Sequence, residues 1–237
     1  MKKFIRRLLF PDTCDSETYI KALRNKYHID IGEHCVIWSP NKVYIDTQRP
    51  HLLHIGNYVK ITSGVNIVCH DYSRSVFMNM EGYGNVGEAR ETWIGNNVFI
   101  GMNTTILMGT RIGDNSIIGA GSVVSGEFVG NSVLAGNLAK KICTLDEFYT
   151  KRKRKEVENA KLYVNKWKAK YGSNPTLKEM SNAFAWLYLP HTIETIKKYP
   201  GLFNYSGVND EVVKANFLMS KPIFESFEEF LYYCENN

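Results

Sequence analysis

The residues in this chain best suited to take up a proton near neutral pH are its histidines. They are His28, His34, His51, His54, His70 and His191. His70 stands in the stretch Ile67-Val-Cys-His-Asp-Tyr-Ser, where a regular repeat stops and a long insertion begins. A histidine at such a junction is a candidate general base for activating a hydroxyl or an amine. His51 and His54 are the alternatives, because the repeat brings them near His70.

Polar side chains follow His70 directly in the insertion. Asp71 is adjacent in sequence, and it can orient the imidazole, contact a substrate or face solvent; the sequence leaves these alternatives open. Tyr72 and Tyr83 can hydrogen-bond to a sugar or stack on it, or they can simply pack the insertion. A zinc hydratase site needs three converging histidines. Only His70 is well placed, so we predict no metal.

The element that must position these side chains is a repeat with a period of six. Arg49 interrupts a series of aliphatic residues that otherwise keeps this spacing, and residues 71–92 form an insertion. The positions are Ile31, Ile37, Val43, Ile55, Ile61, Ile67, Ile94, Ile100, Ile106, Ile112, Ile118 and Val124. A period of six fits neither a strand nor a helix. It indicates short extended steps joined by turns, three to a coil, with one aliphatic side chain pointing inward per step and coils about 4.8 Å apart.

The pattern [LIV]-G-x-x-[STV]-x, strongest over 93–139, resembles that of the hexapeptide-repeat acyltransferases, in the branch of sugar O-acetyltransferases and xenobiotic acetyltransferases. The resemblance covers residues 31–142 and implies a left-handed parallel β-helix of about five coils. In these relatives a histidine at the start of the loop is the general base, which implies that role for His70. The resemblance also implies a homotrimer whose active sites lie between subunits.

The donor site is likewise carried by the resemblance. The stretch Ile118-Gly-Ala-Gly-Ser-Val-Val-Ser, with Leu134-Ala-Gly-Asn-Leu-Ala-Lys-Lys after it, resembles the acetyl-CoA groove of the family. The matching positions are Gly101, Met102, Ala120, Ser125, Lys140 and Lys141. Lysines are suitable partners for the phosphates of coenzyme A. Phe99, Gly126 and Leu138 depart from the family pattern, which bears on donor affinity more than on donor identity.

Helical patterns flank the repeats. We expect a helical segment in residues 1–30, with a helix over 15–27, and a helical extension over 143–237. In the extension, a capping box at 144–147 predicts a long basic helix ending near Lys170. Asn174-Pro175 predicts a second helix, with Pro at its first position, and a last helix is expected over about 225–234. We expect this extension to be an appendage packed on the β-helix.

Composition bounds the location of the protein. The chain of 237 residues has no run of 18 apolar residues, which excludes a transmembrane helix. Arg6 and Arg7 interrupt the apolar start of the chain, so we do not expect a signal peptide. The five cysteines are widely spaced, without a CxxC motif. That number and spacing are typical of a reducing compartment, and we expect a cytoplasmic protein.

The positive charge is concentrated in one part of the chain. The net charge is +5, yet residues 140–171 carry 11 Lys or Arg and 4 Asp or Glu, a local +7. No nucleic-acid motif accompanies this cluster, so we predict no nucleic-acid partner. Lys140 and Lys141 fall where the cofactor phosphates are expected. Residues 151–155 form either a solvated helix face or a surface that meets an anionic acceptor or membrane.

The sequence therefore predicts an acetyl-CoA-dependent O-acetyltransferase with a saccharide acceptor. By resemblance, relatives with this loop and tail act in bacterial capsule or lipopolysaccharide assembly. An N-acetyltransferase acting on an amino sugar, or an antibiotic acetyltransferase, would use the same base and donor. A catalytically inactive, structural β-helix is the remaining alternative.

Overall fold

The computed structural model describes residues 11–236, except for the side chains of residues 181 and 182. The start of the chain, where no signal peptide is expected, lies outside the described residues. Three sheets form the repeat region, and the chain enters them in rotation up to strand β14. The first sheet contains β1 (Asp30–Ile31), β4 (Leu53–Ile55), β7 (Thr92–Ile94), β10 (Arg111–Ile112) and β13 (Glu127–Phe128). The second contains β2 (Val36–Ile37), β5 (Lys60–Ile61), β8 (Val98–Ile100), β11 (Ser116–Ile118), β14 (Ser132–Gly136) and β15 (Ala139–Thr144). The third contains β3 (Tyr44–Ile45), β6 (Asn66–Ile67), β9 (Thr105–Ile106) and β12 (Val123–Val124).

The inward aliphatic column predicted from the repeats is confirmed. Ile55 pairs with Ile94, and Ile94 pairs in turn with Ile112, all in parallel register. These three side chains are fully buried. Burial of each isoleucine is worth about 1.5–3 kcal/mol, so the stacked column supplies much of the stability of this region. The small residues four positions later are buried as well, as at Thr104 and Ser122.

The first coil departs from the predicted frame. Ile45, not Val43, pairs with Ile67 and is buried. A 3-10 turn over Pro40–Lys42 adds two residues before β3, which shifts the inward position. A second 3-10 turn, over Pro50–Leu52, explains why the aliphatic series was broken at Arg49.

Successive coils approach so closely that some corners admit no side chain. A Cβ added at Gly56 would lie 2.7 Å from the carbonyl of Gly95 in the next coil. Other corners need the left-handed backbone conformation that asparagine tolerates, with φ 53° at Asn97 and 54° at Asn115. The Asn97 side-chain amide also donates to Asn115 Oδ1 at 2.8 Å, so these corner residues connect one coil to the next.

Helix α1 (Ser16–Asn25) lies against the first coil, close to the predicted bounds. The Asp15 side chain accepts a hydrogen bond from Thr18 N and caps its start. Ser16 Oγ accepts from Ile37 N at 2.8 Å. Arg24 donates to the carbonyls of residues 31 and 32 at 3.1 and 3.0 Å. Polar side chains of α1 therefore satisfy backbone groups on the outer edges of β1 and β2.

The last coil ends in a hairpin that the sequence did not indicate. Its first strand is β14 (Ser132–Gly136). It is followed by β15 (Ala139–Thr144), which pairs with β14 in the antiparallel direction. This strand covers the open edge of the second sheet.

The insertion over residues 71–92 contains a short helix, α2 (Arg74–Met78). Several of its apolar side chains are exposed, including Val76 and Met78. The chain returns to the sheets at β7, which begins at Thr92.

The chain divides into two compact units between Phe148 and Tyr149. The helices that follow the repeat region are α3 (Leu145–Arg154), α4 (Glu156–Tyr171), α5 (Leu177–Phe184), α6 (Ile193–Lys198), α7 (Asp210–Met219) and α8 (Phe227–Asn236). The second unit has its own core, which includes Met180, Leu187, Phe217 and Phe230. The extension therefore has a core of its own, which its sequence did not indicate.

The structure also corrects the bounds of these helices. The predicted long basic helix is interrupted at Lys155, between α3 and α4. Gly172 ends α4 with φ 75°, close to the predicted end near Lys170. Helix α5 begins after Thr176, whose side chain forms a capping box with Glu179, so Pro175 precedes the helix. Across residues 11–236, no helix combines the length and apolar character that a bilayer crossing requires.

Candidate active site

His70 lies just past the end of β6, at the corner where the chain leaves the third sheet. Its side chain is only 4% exposed. The insertion begins at this point and returns to it. Ala89 forms a β-bridge with His70, and the backbone N–H of Arg90 donates to the carbonyl of Cys69 at 3.1 Å. The two ends of the insertion are thus held together at His70 by backbone pairing.

The orienting partner of His70 is Asp46, which sequence reasoning missed. Asp46 Oδ2 lies 2.5 Å from His70 Nδ1, and the carboxyl group is fully buried. The same oxygen accepts from Cys69 N at 3.1 Å, and Oδ1 accepts from Gln48 N at 3.0 Å. An ionised carboxylate only accepts hydrogen bonds, so Nδ1 of His70 carries a proton. In the neutral ring, Nε2 then has a free lone pair and can act as a base.

Asp46 could have been found from register alone. It follows Ile45 at the end of β3, and Ile45 pairs with Ile67, three residues before His70. The six-residue spacing predicted Val43 as the inward residue of this coil. That prediction put the following corner two residues before its position in the structure. Backbone N–H groups of both coils converge on Asp46, which explains why a carboxylate is tolerated at a buried corner.

The loop residues predicted to meet a substrate have different surroundings. Asp71 accepts from the backbone N–H and the hydroxyl of Ser73, at 3.1 and 2.9 Å, within the insertion. The Tyr72 ring meets His70 edge-on, with centroids 5.1 Å apart, and the Tyr72 hydroxyl donates to Gln48 at 2.7 Å. Tyr83 is 60% exposed and stacks on Phe77. Of the three, Tyr72 is the one that contacts His70.

The predicted donor residues occupy three places in the repeat region. Met102 and Ala120 hold equivalent positions on successive coils. Each lies two residues after the last residue of its strand, and those last residues, Ile100 and Ile118, pair with each other. Gly101 N donates to Ile118 O at 2.9 Å at the same corner, which follows the second sheet.

The other three donor residues lie elsewhere. Ser125 follows β12 at the end of the third sheet, the corner that also holds Asp46 in an earlier coil. Lys140 and Lys141 are exposed on β15. One chain thus presents its donor residues over two corners and a terminal hairpin.

A second His–Asp pair lies on the first sheet. His54 Nδ1 is 2.5 Å from Asp30 Oδ2, at the same 24-residue separation as the His70 pair. Here the carboxylate side chain is 73% exposed, and the His54 ring stacks on Trp93 with centroids 3.6 Å apart. Arg111 lies over the Trp93 ring, 5.4 Å from its centroid. The His54 imidazole therefore has an aromatic ring over one face, unlike that of His70.

Cys69 is adjacent to the candidate base but unsuited to nucleophilic attack. The residue is fully buried, and its Sγ lies 3.5 Å from Leu52 O. Burial raises the pKa of the Cys69 thiol, which keeps it protonated and unreactive. Within the part of the chain that the structure describes, no group of three or more His, Cys, Asp or Glu side chains is arranged to hold a metal ion.

Comparison with known proteins agrees with the repeat pattern. A family model described as bacterial transferase hexapeptide (six repeats) matches residues 91–126. Protein CapG of Staphylococcus aureus is 36% identical over 151 residues, a match that covers 64% of this chain and 83% of CapG. The chain therefore belongs to the bacterial hexapeptide-repeat transferases, and the predicted family and acyltransferase class are confirmed.

Solved structures also match part of the chain. Soybean serine acetyltransferase complexed with serine is 28% identical with a TM-score of 0.37, over 48% of this chain and 40% of the soybean chain. A galactoside acetyltransferase in complex with coenzyme A is 25% identical with a TM-score of 0.41, over 54% of this chain and 70% of the other. The present chain thus spans less than half the length of the soybean enzyme.

Proposed function

We propose that this protein is an acetyl-CoA-dependent O-acetyltransferase that acetylates a hydroxyl of a saccharide acceptor, with His70 as the general base. The observation that supports it is the buried His70–Asp46 pair at the mouth of the insertion, within a hexapeptide-repeat transferase. The pair fixes the ring so that Nε2 is the basic nitrogen. Assembly of bacterial capsule or lipopolysaccharide is the proposed setting, in the cytoplasm.

The reaction is a direct transfer. His70 Nε2 takes the proton of the acceptor hydroxyl as its oxygen attacks the thioester carbonyl carbon. A backbone N–H of a facing turn stabilises the resulting oxyanion. The carbon–sulfur bond then breaks, and the imidazolium returns the proton to the departing thiolate. The products are an O-acetyl ester and free coenzyme A. No acyl-enzyme is required, in keeping with the buried, protonated Cys69.

The acetyl-CoA site requires a second copy of the chain. His70 is at the corner after the third sheet, whereas Gly101, Met102 and Ala120 are at the corner after the second. Corners of one coil point away from each other, so the base of one subunit meets the donor groove of a neighbour. A closed homotrimer provides three such sites. Ser125 lies at the same corner as His70, so it completes the proposed groove from the subunit that supplies the base. Lys140 and Lys141 are proposed to hold phosphates of the cofactor.

The same proposal includes the form of the chain. We take the coil over residues 31–142 to be left-handed, as the resemblance to the family implies, with about five turns. The passage of the chain through three sheets in rotation supports the coil itself. The proposed division of the chain is a helical lead over residues 1–30 and a helical extension over residues 143–237, of which residues 1–10 and 237 lie outside the described part of the chain. Asp71, Tyr72 and Tyr83 line the acceptor side of the site.

A thiol-release assay with acetyl-CoA and a panel of acceptors tests the function. The panel pairs neutral sugars and oligosaccharides with the matching amino sugars. We expect turnover with hydroxyl acceptors and a loss of roughly 100- to 10,000-fold in His70→Ala. Coenzyme A binding, measured by calorimetry, should be retained in that variant. Turnover with amine acceptors alone would instead assign N-acetylation.

The chain offers a matched control for the base. His54→Ala removes a histidine whose Nδ1 lies at the same 2.5 Å from a carboxylate, but on another sheet. That variant should keep full turnover. If His54→Ala loses activity and His70→Ala does not, the assignment of the base is wrong. If neither variant nor parent turns over any acceptor and none binds coenzyme A, the chain is a structural β-helix.

A further inference from the structure

The helical unit contains a cavity that the proposed acetyl transfer does not use. Its volume is about 640 Å³, within the range of small-molecule binding sites. One wall is formed by α3 and α4, and the other by the end of α5 and the segment after it. The side chains that give it its character are Tyr149, Arg152, Lys153, Glu156, Trp186 and Tyr205.

The charge of the cavity favours an anion of low charge. Arg152 and Lys153 line it together with a single acid, Glu156, so the lining has a net charge of +1. The Lys153 ammonium lies 2.6 Å from a Glu156 oxygen, which offsets its charge. The Arg152 guanidinium has five N–H donors, so it can bind a carboxylate or phosphate in addition to its other contacts. A ligand with several adjacent phosphates would meet the Glu156 carboxylate.

The aromatic residues provide flat apolar surfaces with polar tips. Tyr149 is 68% exposed and Tyr205 is 38% exposed. Burial raises the pKa of Tyr205, so its hydroxyl is neutral and can both donate and accept hydrogen bonds. Trp186 is half-buried and is held edge-on against Phe217, with centroids 5.2 Å apart. A fixed indole and two partly exposed phenols suit the apolar faces of sugar rings.

Amide and carboxylate groups add hydrogen-bonding capacity. Asn159 lines the cavity one turn beyond Glu156, so the lining includes both an amide and a carboxylate. Hydroxyl-rich rings need donors and acceptors spread along a site, whereas a bare anion needs only the cations.

We propose that this cavity binds an acidic saccharide, with sugar rings against Tyr149, Trp186 and Tyr205 and the anionic group on Arg152. The helical unit is then a saccharide-binding module in its own right. Its ligand is a carboxylate- or phosphate-bearing sugar chain, and binding there does not depend on catalysis at His70.

Calorimetry with the full chain tests this proposal. The probes are a hexasaccharide of alternating glucuronate and N-acetylglucosamine, a trigalacturonate, a phosphorylated mannose oligosaccharide, neutral maltohexaose, and uridine diphosphate. We expect at least one acidic oligosaccharide to bind, with maltohexaose at least tenfold weaker. Arg152→Gln and Tyr149→Ala should each weaken that binding at least tenfold. Lys166→Gln, which removes a charge from α4 outside the cavity, should not change it.

The outcomes separate this site from the proposed active site. Binding of the acidic oligosaccharide should be unchanged in His70→Ala; loss there would mean that the sugar occupies the active site instead. Failure of all three acidic probes to bind would overturn the proposal. So would equal binding of maltohexaose with no effect of Arg152→Gln. Tighter binding of uridine diphosphate, sensitive to Arg152→Gln, would make the cavity a nucleotide site.

Discussion

Replacing Asp46 by asparagine tests how the base is set up. The carboxylate accepts three hydrogen bonds, from Gln48 N, Cys69 N and His70 Nδ1. An amide of the same shape must turn its NH₂ group toward one side. If NH₂ faced Cys69 N, it would oppose a buried N–H that water does not reach. If it faces Gln48 N, the opposed N–H is only partly buried, so this orientation costs less.

In that favoured orientation, the oxygen of the new amide still accepts from His70 Nδ1, and Nε2 remains the basic nitrogen. The variant loses the negative charge of the Asp46 carboxylate, which stabilises the imidazolium form of His70. Hydrogen bonds to charged groups contribute about 1.5–3 kcal/mol, which corresponds to a fall in kcat/KM of roughly 10- to 150-fold. Most of this range lies below the fall of roughly 100- to 10,000-fold expected for His70→Ala.

The assay is kcat/KM by thiol release, together with the ¹⁵N chemical shifts of the His70 ring. We expect Nδ1 to stay protonated in Asp46→Asn, a result that a loss of packing alone would not produce. Asp30→Asn, at the other His–Asp pair, is the control and should keep full activity. A folded Asp46→Asn protein with unchanged kcat/KM, or with the proton moved to Nε2, would refute this reasoning.

Three further variants, each with a change outside the His70–Asp46 pair, test other parts of the molecule. Gly56→Ala places a Cβ 2.7 Å from backbone of the next coil and should cost about 1–3 kcal/mol, seen as a lower Tm, whereas Gly84→Ala meets nothing within 4 Å and should be neutral. Cys69→Ala should keep turnover within about threefold, since the proposed direct transfer uses no cysteine thiol of the protein, and a complete loss in a folded variant would point to an acyl-enzyme. Lys140→Gln with Lys141→Gln should weaken coenzyme A binding roughly tenfold by calorimetry, and unchanged affinity would exclude them from the groove.

The repeat predicted the sheets because one constraint, an inward aliphatic every six residues, acts at every step. It failed at Val43, where an extra 3-10 turn moved the inward position to Ile45. That same shift concealed Asp46, because its nearness to His70 depends on the register between coils rather than on sequence. A site formed by residues of two coils can thus be predicted only when every extra residue in the six-residue repeat has been located.

The helical unit was predicted less well, for a different reason. Its core joins residues such as Met180, Phe217 and Phe230, which lie on three separate helices. Each helix contributes only a few of them, so no single helix shows a continuous apolar face. The sequence therefore indicated helices without showing that they pack together.

Helix α1 and strand β15 have a consequence for the size of the assembly. A stack of parallel strands exposes unpaired backbone groups at both ends, and such ends join readily into fibres. The side chains of Ser16 and Arg24 hydrogen-bond to such groups at one end. At the other end, the antiparallel strand β15 pairs with the edge of the second sheet. Between them, Ile94 and Ile112 are 18 residues apart in matched register, so the coil is a unit that can be added or removed without disturbing either end. The chain thus sets its length by its two terminators, while the number of coils is free to vary.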